Sequence, residues 1–173
     1  MSVAHTTPAQ SPGTLGRMLR ALAAGQAILA GALLCAMALM SVVSIALRAV
    51  GLQPVLGDFE LMQVGLAVCV SLLLPWCELE GGNIIVDFFT APLRKAWQRR
   101  LDALGHTLFA LVIALVAWRT GAGAVSMKSA GETTMLLGFP LWIAYAGMVP
   151  GFASTSLCAL WCASSFWRQS RDD

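Results

Sequence analysis

The sequence predicts an all-α integral membrane protein: four transmembrane helices, with an amphipathic interfacial helix between the second and third. Three observations predict this. Hydrophobic residues make up 58% of the 173 residues, charged residues only 12%, and the mean hydropathy is +0.75. A soluble domain carries about 25% charged residues, so this chain must be solvated by lipid. Four apolar stretches reach the roughly 20 residues that a helix needs to cross a hydrocarbon core about 30 Å thick. The cations cluster on alternate connections between those stretches.

Residues 1–16 are polar, contain Pro8, Pro12 and Gly13, and read as a disordered lead. The membrane domain is expected over residues 17–168. Its first span, residues 21–47, has no charge between Arg20 and Arg48. It is far longer than the about 7–15 apolar residues of a secretion signal, so it reads as a spanning helix that tilts or projects past the lipid. The second span, 59–79, has Glu60 in its first turn, Pro75 near its end, and Glu78 and Glu80 where it leaves the lipid.

Residues 91–103 are the expected interfacial helix. Leu93, Ala96, Trp97, Leu101 and Leu104 recur at helical spacing, while Arg94, Lys95, Gln98, Arg99 and Asp102 fall on the opposite face. A basic amphipathic helix with Trp at its boundary lies in the membrane plane against anionic headgroups. The alternative is that the stretch extends the third span into the cytoplasm. That span, 104–125, carries Arg119. The fourth, 140–165, opens with Pro140, a favourable first-turn residue, contains Pro150, and is followed by a tail at 169–173. Backbone groups in lipid must be paired internally, which makes a four-helix bundle the natural architecture.

Eight cations (Arg17, Arg20, Arg94, Lys95, Arg99, Arg100, Arg168 and Arg171) fall on one side of these spans, and three (Arg48, Arg119 and Lys128) belong to the other. By the positive-inside rule both termini are cytoplasmic, and the loops 48–58 and 126–139 face outward.

The net charge of +2 gives no argument for nucleic acid. The five cysteines lie in apolar runs without metal spacing. No nucleophile elbow, zinc-protease helix or phosphate-binding loop is present, so the chain does not read as an enzyme, and no cofactor is expected. Of the two histidines, His5 lies in the lead, and His106, one turn after Asp102, is placed to pair with it. Haem held by a histidine pair is not supported. Arg119 is the deepest charge. It is expected either to snorkel or to pair with Glu60 or with a partner protein. Small-residue pairs at Ala27/Gly31 and Gly147/Gly151 offer close helix packing. The middles of spans one, two and four hold only small or weakly polar residues, so an internal transport path is hard to build.

Four features, in order, give a family resemblance. The first span ends at Arg48, and the second opens with Gly57-Asp58-Phe59-Glu60-Leu61. Next comes Gly82-Asn83-Ile84-Ile85-Val86-Asp87 and a basic stretch. The last span opens with Leu137-Gly138-Phe139-Pro140-Leu141-Trp142 and continues to Tyr145 and Pro150-Gly151. Over about residues 21–166 the chain resembles the small membrane subunit (DctQ-like) of tripartite ATP-independent periplasmic (TRAP) transporters. Asn83, Asp87 and Pro140 match signature positions, although the family has His where Asn83 stands and basic residues where Glu78 and Glu80 stand.

The resemblance implies a bacterial inner-membrane subunit that braces a large, sodium-binding elevator subunit. It further implies help in docking a periplasmic substrate-binding protein, for uptake of a carboxylate-bearing organic acid. Sodium is expected on the large subunit. Candidate docking residues are Arg48, Asp58, Lys128 and Glu132; candidate lipid contacts are Arg94, Lys95, Trp97, Arg99 and Arg100. The competing classes are a stand-alone small transporter or channel, which would need a mid-membrane charge such as Arg119, and a membrane anchor for a redox enzyme.

Reporter fusions check the orientation. Green fluorescent protein fused after Asp173 is expected to fluoresce, and alkaline phosphatase inserted at Gly131 to be active; the opposite pattern would invert the assignment.

Overall fold

The computed structural model describes residues 14–53, 56–80 and 95–169, with the backbone alone for residues 95–100, 166, 168 and 169. It holds four helices: α1, Thr14–Ala49; α2, Asp58–Leu79; α3, Lys95–Ala130; and α4, Leu141–Gln169. All four are long and apolar enough to cross a membrane. They extend the expected spans, most of all on the side predicted to be cytoplasmic. Residues 14–16 of the expected lead are already helical. Pro140 stands one residue before α4 rather than inside it.

The stretch 95–103 is not a separate interfacial helix. It forms the first turns of the unbroken 36-residue α3, which at 1.5 Å per residue is about 54 Å long. Nothing in this segment breaks a helix: it contains no proline, and Gly105 is the first glycine. The expected start, residues 91–94, lies outside the described residues.

The helices pack as an open row rather than a closed bundle. Helix α4 lies between α3 and α2, and α1 lies on the far side of α2 with a thin contact to α4. On α1 the buried residues Ala23, Ala30, Met37 and Ser44 recur every seven positions, the spacing of a coiled-coil seam. Met37 lies across Gly65 of α2. Ala30 accepts a contact from the Cys69 thiol at 3.6 Å.

The α2–α4 crossing is the tightest. A Cβ on Gly151 would run into the Ser71 carbonyl and the Leu72 amide of α2. The sequence permits this from both sides. Pro75 has no N–H, so the carbonyl four residues back, that of Ser71, is not taken up by the helix ladder. Gly151 presents a hydrogen to that oxygen where any other residue would present a side chain. Of the two small-residue pairs read from sequence, Gly147/Gly151 is at an interface, with Val68 against Gly147. Gly31 has open space beside it.

Prolines 75 and 150 both sit inside continuous helices. Around Pro150 the Ser154 hydroxyl lies 2.7 Å from the Pro150 carbonyl and 2.8 Å from the Gln26 side-chain oxygen of α1. Fully buried Thr155 donates to the Gly151 carbonyl at 2.7 Å. Ser156 donates to the Ala110 carbonyl of α3 at 3.1 Å. Small hydroxyls thus join α4 to its neighbours without placing an unpaired polar atom in lipid.

Gly151→Ala should therefore destabilise the chain by about 1–3 kcal/mol, because the added methyl meets backbone that cannot rotate away. Gly31→Ala should be neutral or slightly stabilising. Thermal unfolding of both variants in mild detergent checks this; equal melting temperatures would mean that the crossing is not tight.

Candidate functional site

Two polar centres stand out, one at each end of α2. At the α2 N-terminus, Gly57 adopts a left-handed φ of 73°, and the Leu137 side chain occupies the space a Cβ would need. The chain then enters α2 with Asp58 and Glu60 in the first turn, where the helix dipole favours acids. Asp58 accepts from the Ser44 hydroxyl of α1 at 2.6 Å and from the Phe59 amide at 2.7 Å. Glu60 reaches across to the α3–α4 connection and accepts from the amides of Leu136 at 2.9 Å and Leu137 at 3.2 Å.

That connection is ordered by its own bonds. Thr133 and Pro140 form a bridge, Thr134 donates its amide to the Phe139 carbonyl at 2.9 Å, and Leu141 donates to Glu132 at 3.1 Å. The Thr134 hydroxyl accepts from the Phe139 amide at 3.0 Å. The loop displays Met135, 99% exposed, beside exposed Leu136.

These bonds sort the sequence-predicted docking residues. Asp58 is committed to the α1–α2 junction. Lys128 ends α3 with its Nζ 5.1 Å from the Trp142 ring centroid, a cation–π contact that joins α3 to the start of α4. Arg48 and Glu132 are exposed. The expected pairing of Arg119 with Glu60 is not formed. Gly121 lies beside Val149, and Gly151 beside Ser71, so Arg119 is level with the middle of α2. Glu60 lies 11 residues nearer the α2 N-terminus than Ser71, about 16 Å along the axis. Sequence-based depths place the two side by side because they count from helix ends, and α3 extends five residues past the expected Val125 end.

The opposite end holds a buried pair that the sequence did not reveal. His106 Nδ1 of α3 lies 2.7 Å from Glu78 Oε1 of α2, with side chains 10% and 1% exposed. They adjoin a core of Leu19, Ala23, Leu79, Cys158 and Cys162, with Trp76 and Trp161 packed against it. His106 was expected to face Asp102 one turn away; the structure adds a partner 28 residues away in sequence. An apolar run ending in Glu78-Leu79-Glu80 gives no sign of which glutamate turns inward. Glu78 is 2% exposed, whereas Glu80 is exposed.

Among the described residues, no group of three or more His, Cys, Asp or Glu side chains is placed to hold a metal ion. A groove of about 630 Å³ opens between α3 and α4, lined by Ala117, Trp118, Gly121, Val125, Val149 and Leu157 among others. Its one polar lining residue, Ser156, already donates to Ala110. Asn83, Asp87 and Arg94 lie outside the described residues. Lys95, Trp97, Arg99 and Arg100 belong to the first two turns of α3.

The fold and these sites define a multi-pass helical membrane protein in which side chains such as Asp58, Glu60 and Ser156 serve helix packing and loop anchoring. The family model for the DctQ component of tripartite ATP-independent periplasmic transporters matches residues 37–172. The chain belongs to that family and is a TRAP transporter small permease subunit, a transporter component rather than a member of an enzyme family. No individually curated protein and no solved structure matches it.

Glu60→Ala removes the acceptor shared by the Leu136 and Leu137 amides. Limited proteolysis of the purified chain should then cut between Thr134 and Gly138 several times faster than in the parent. Unchanged cleavage would mean that the loop holds its shape without the carboxylate.

Proposed function

We propose that the chain is the stationary brace of its transporter. It would enlarge the static frame of a large membrane subunit that binds sodium and carries a carboxylate-bearing organic acid by an elevator-like motion. Its outward loops would help to seat the periplasmic substrate-binding protein. The observation that carries this reading is the open row of helices. Helices α1 and α3 expose most of their apolar length, while the polar groups between helices are occupied in holding neighbours together. A carrier concentrates polar groups around a midplane cavity; the α3–α4 groove is apolar and opens sideways. A frame needs broad apolar faces and rigid contacts, which this chain has.

The outer surface supports a docking role through its order. Glu60, the Thr133–Pro140 bridge and the Lys128–Trp142 contact hold the 131–140 loop in one shape, so less entropy is lost when a partner binds. Exposed Arg48 and Glu132 supply rim charges, which act mainly on encounter rates.

Uptake by vesicles containing the large subunit, with and without this chain, tests the proposal. Sodium-driven uptake with the soluble binding protein should require both membrane subunits, and this chain alone should give none. Arg48→Glu together with Glu132→Lys should lower uptake several-fold at limiting binding protein and recover at saturating amounts. Full uptake by the large subunit alone, or uptake by this chain alone, would overturn the brace.

A further inference from the structure

Arg119 stands at mid-depth on the face of α3 that the fold leaves uncovered. Among the described residues no carboxylate lies within ion-pair distance of it, and it is exposed on the surface of the chain. It is level with Gly151 and Ser71, where α4 crosses α2. Ser71 is 13 residues from Asp58 and 8 from Leu79 in the 22-residue α2. Hydrocarbon therefore extends in both directions, up to about 15 Å from the midplane. A guanidinium at that depth is costly unless it meets an acceptor.

The surface around it has a pattern of its own. Leu104, Leu108, Leu111, Leu115 and Trp118 are 52% to 75% exposed, at successive spacings of four, three, four and three residues. That is the spacing by which one helix receives the side chains of another. Arg119 follows Leu115 by one turn and so stands within this stripe. The groove between α3 and α4 opens beside it at Trp118.

We propose that this stripe is where one transmembrane helix of the large membrane subunit docks, and that Arg119 pairs with an Asp or Glu side chain carried by that helix at mid-membrane depth. The inference rests on the brace reading and adds to it a surface and a recognition chemistry. Charge selects the occupant. A lipid phosphate sits at the headgroup level rather than at mid-depth. A second copy of this chain packed through the same face about a two-fold axis would bring Arg119 towards Arg119, a repulsion that low dielectric strengthens. A partner helix with a carboxylate at this depth satisfies the guanidinium and fills the stripe together.

The test uses the chain co-expressed with the large subunit of its transporter. A photo-crosslinking amino acid replaces Leu111, on the stripe, or Leu39, on the exposed side of α1, with Arg119 intact. Crosslinks from position 111, about 12 Å along α3 from Arg119, should join the large subunit on a helix that carries an Asp or Glu about two turns from the crosslinked residue, and those from position 39 should not reach that helix. In parallel, Arg119→Glu should reduce co-purified large subunit by about tenfold or more, with Arg119→Lys retaining most of it. Should Arg119→Glu fail to insert, the crosslinks decide alone. Crosslinks from position 111 only to lipid or to a second copy of this chain would overturn the proposal, as would a large-subunit site with no nearby acid or undiminished co-purification of an inserted Arg119→Glu. If the parent chain itself recovers no large subunit, the brace reading fails as well, which separates the two.

Discussion

Everything in this molecule is positioned from the crossing of α2 and α4, where Gly151 lies against the Ser71 carbonyl. Lipid supplies no hydrophobic force between apolar helices, so association depends on close packing and on hydrogen bonds that lipid cannot replace. A backbone-to-backbone approach provides the first, and the residues around it provide the second. Pro75 leaves a carbonyl open, Gly151 closes on it, and Thr155 and Ser154 take up the carbonyls near Pro150. Helix α4 then presents α3 through Ser156 and touches α1 through Ser154 and Gln26. Loosening this crossing would move three neighbours at once.

The two ends of α2 are tied to other elements by acidic side chains. At the N-terminus of α2 Asp58 joins α1 to α2, and Glu60 joins α2 to the α3–α4 connection. At its C-terminal end Glu78 joins α2 to His106 of α3, a contact between helices that otherwise meet little. Acidic residues of one helix, α2, thus reach α1, the α3–α4 connection and α3. The result is a unit with broad apolar sides, which suits the proposed brace.

The four spans were legible because a membrane helix is written in one variable, uninterrupted apolar length, and all four appear within a few residues of their expected cores. The inner extensions were not, because basic and polar residues continue a helix beyond the lipid without an apolar signal. The stretch 95–103 shows this. Its amphipathic spacing is common to an in-plane helix and to the projecting end of α3, and periodicity does not separate them. Pairings between distant residues were least legible. Glu60 and Arg119 looked level when counted from assumed helix ends, yet the true α3 end lies five residues further out. Glu78 and His106 meet only because the helices bring them together, and neither has a local sequence signal. The Gly147/Gly151 pair was visible and is used, while Ala27/Gly31 looked the same and Gly31 faces open space, since spacing alone does not say which face meets a neighbour.

The central claim is that this subunit does not rearrange while its transporter works. The most direct measurement is uptake by a complex in which α2 and α4 are joined by a disulfide between cysteines placed at Val68 and Gly147, with the five native cysteines replaced. These positions face each other across the central crossing, and a bond between them forbids any sliding of the two helices. The account predicts uptake equal to that of the same complex after reduction. Uptake that is lost in the oxidised complex and restored by reduction would contradict it, and would make the subunit a moving part of the machine.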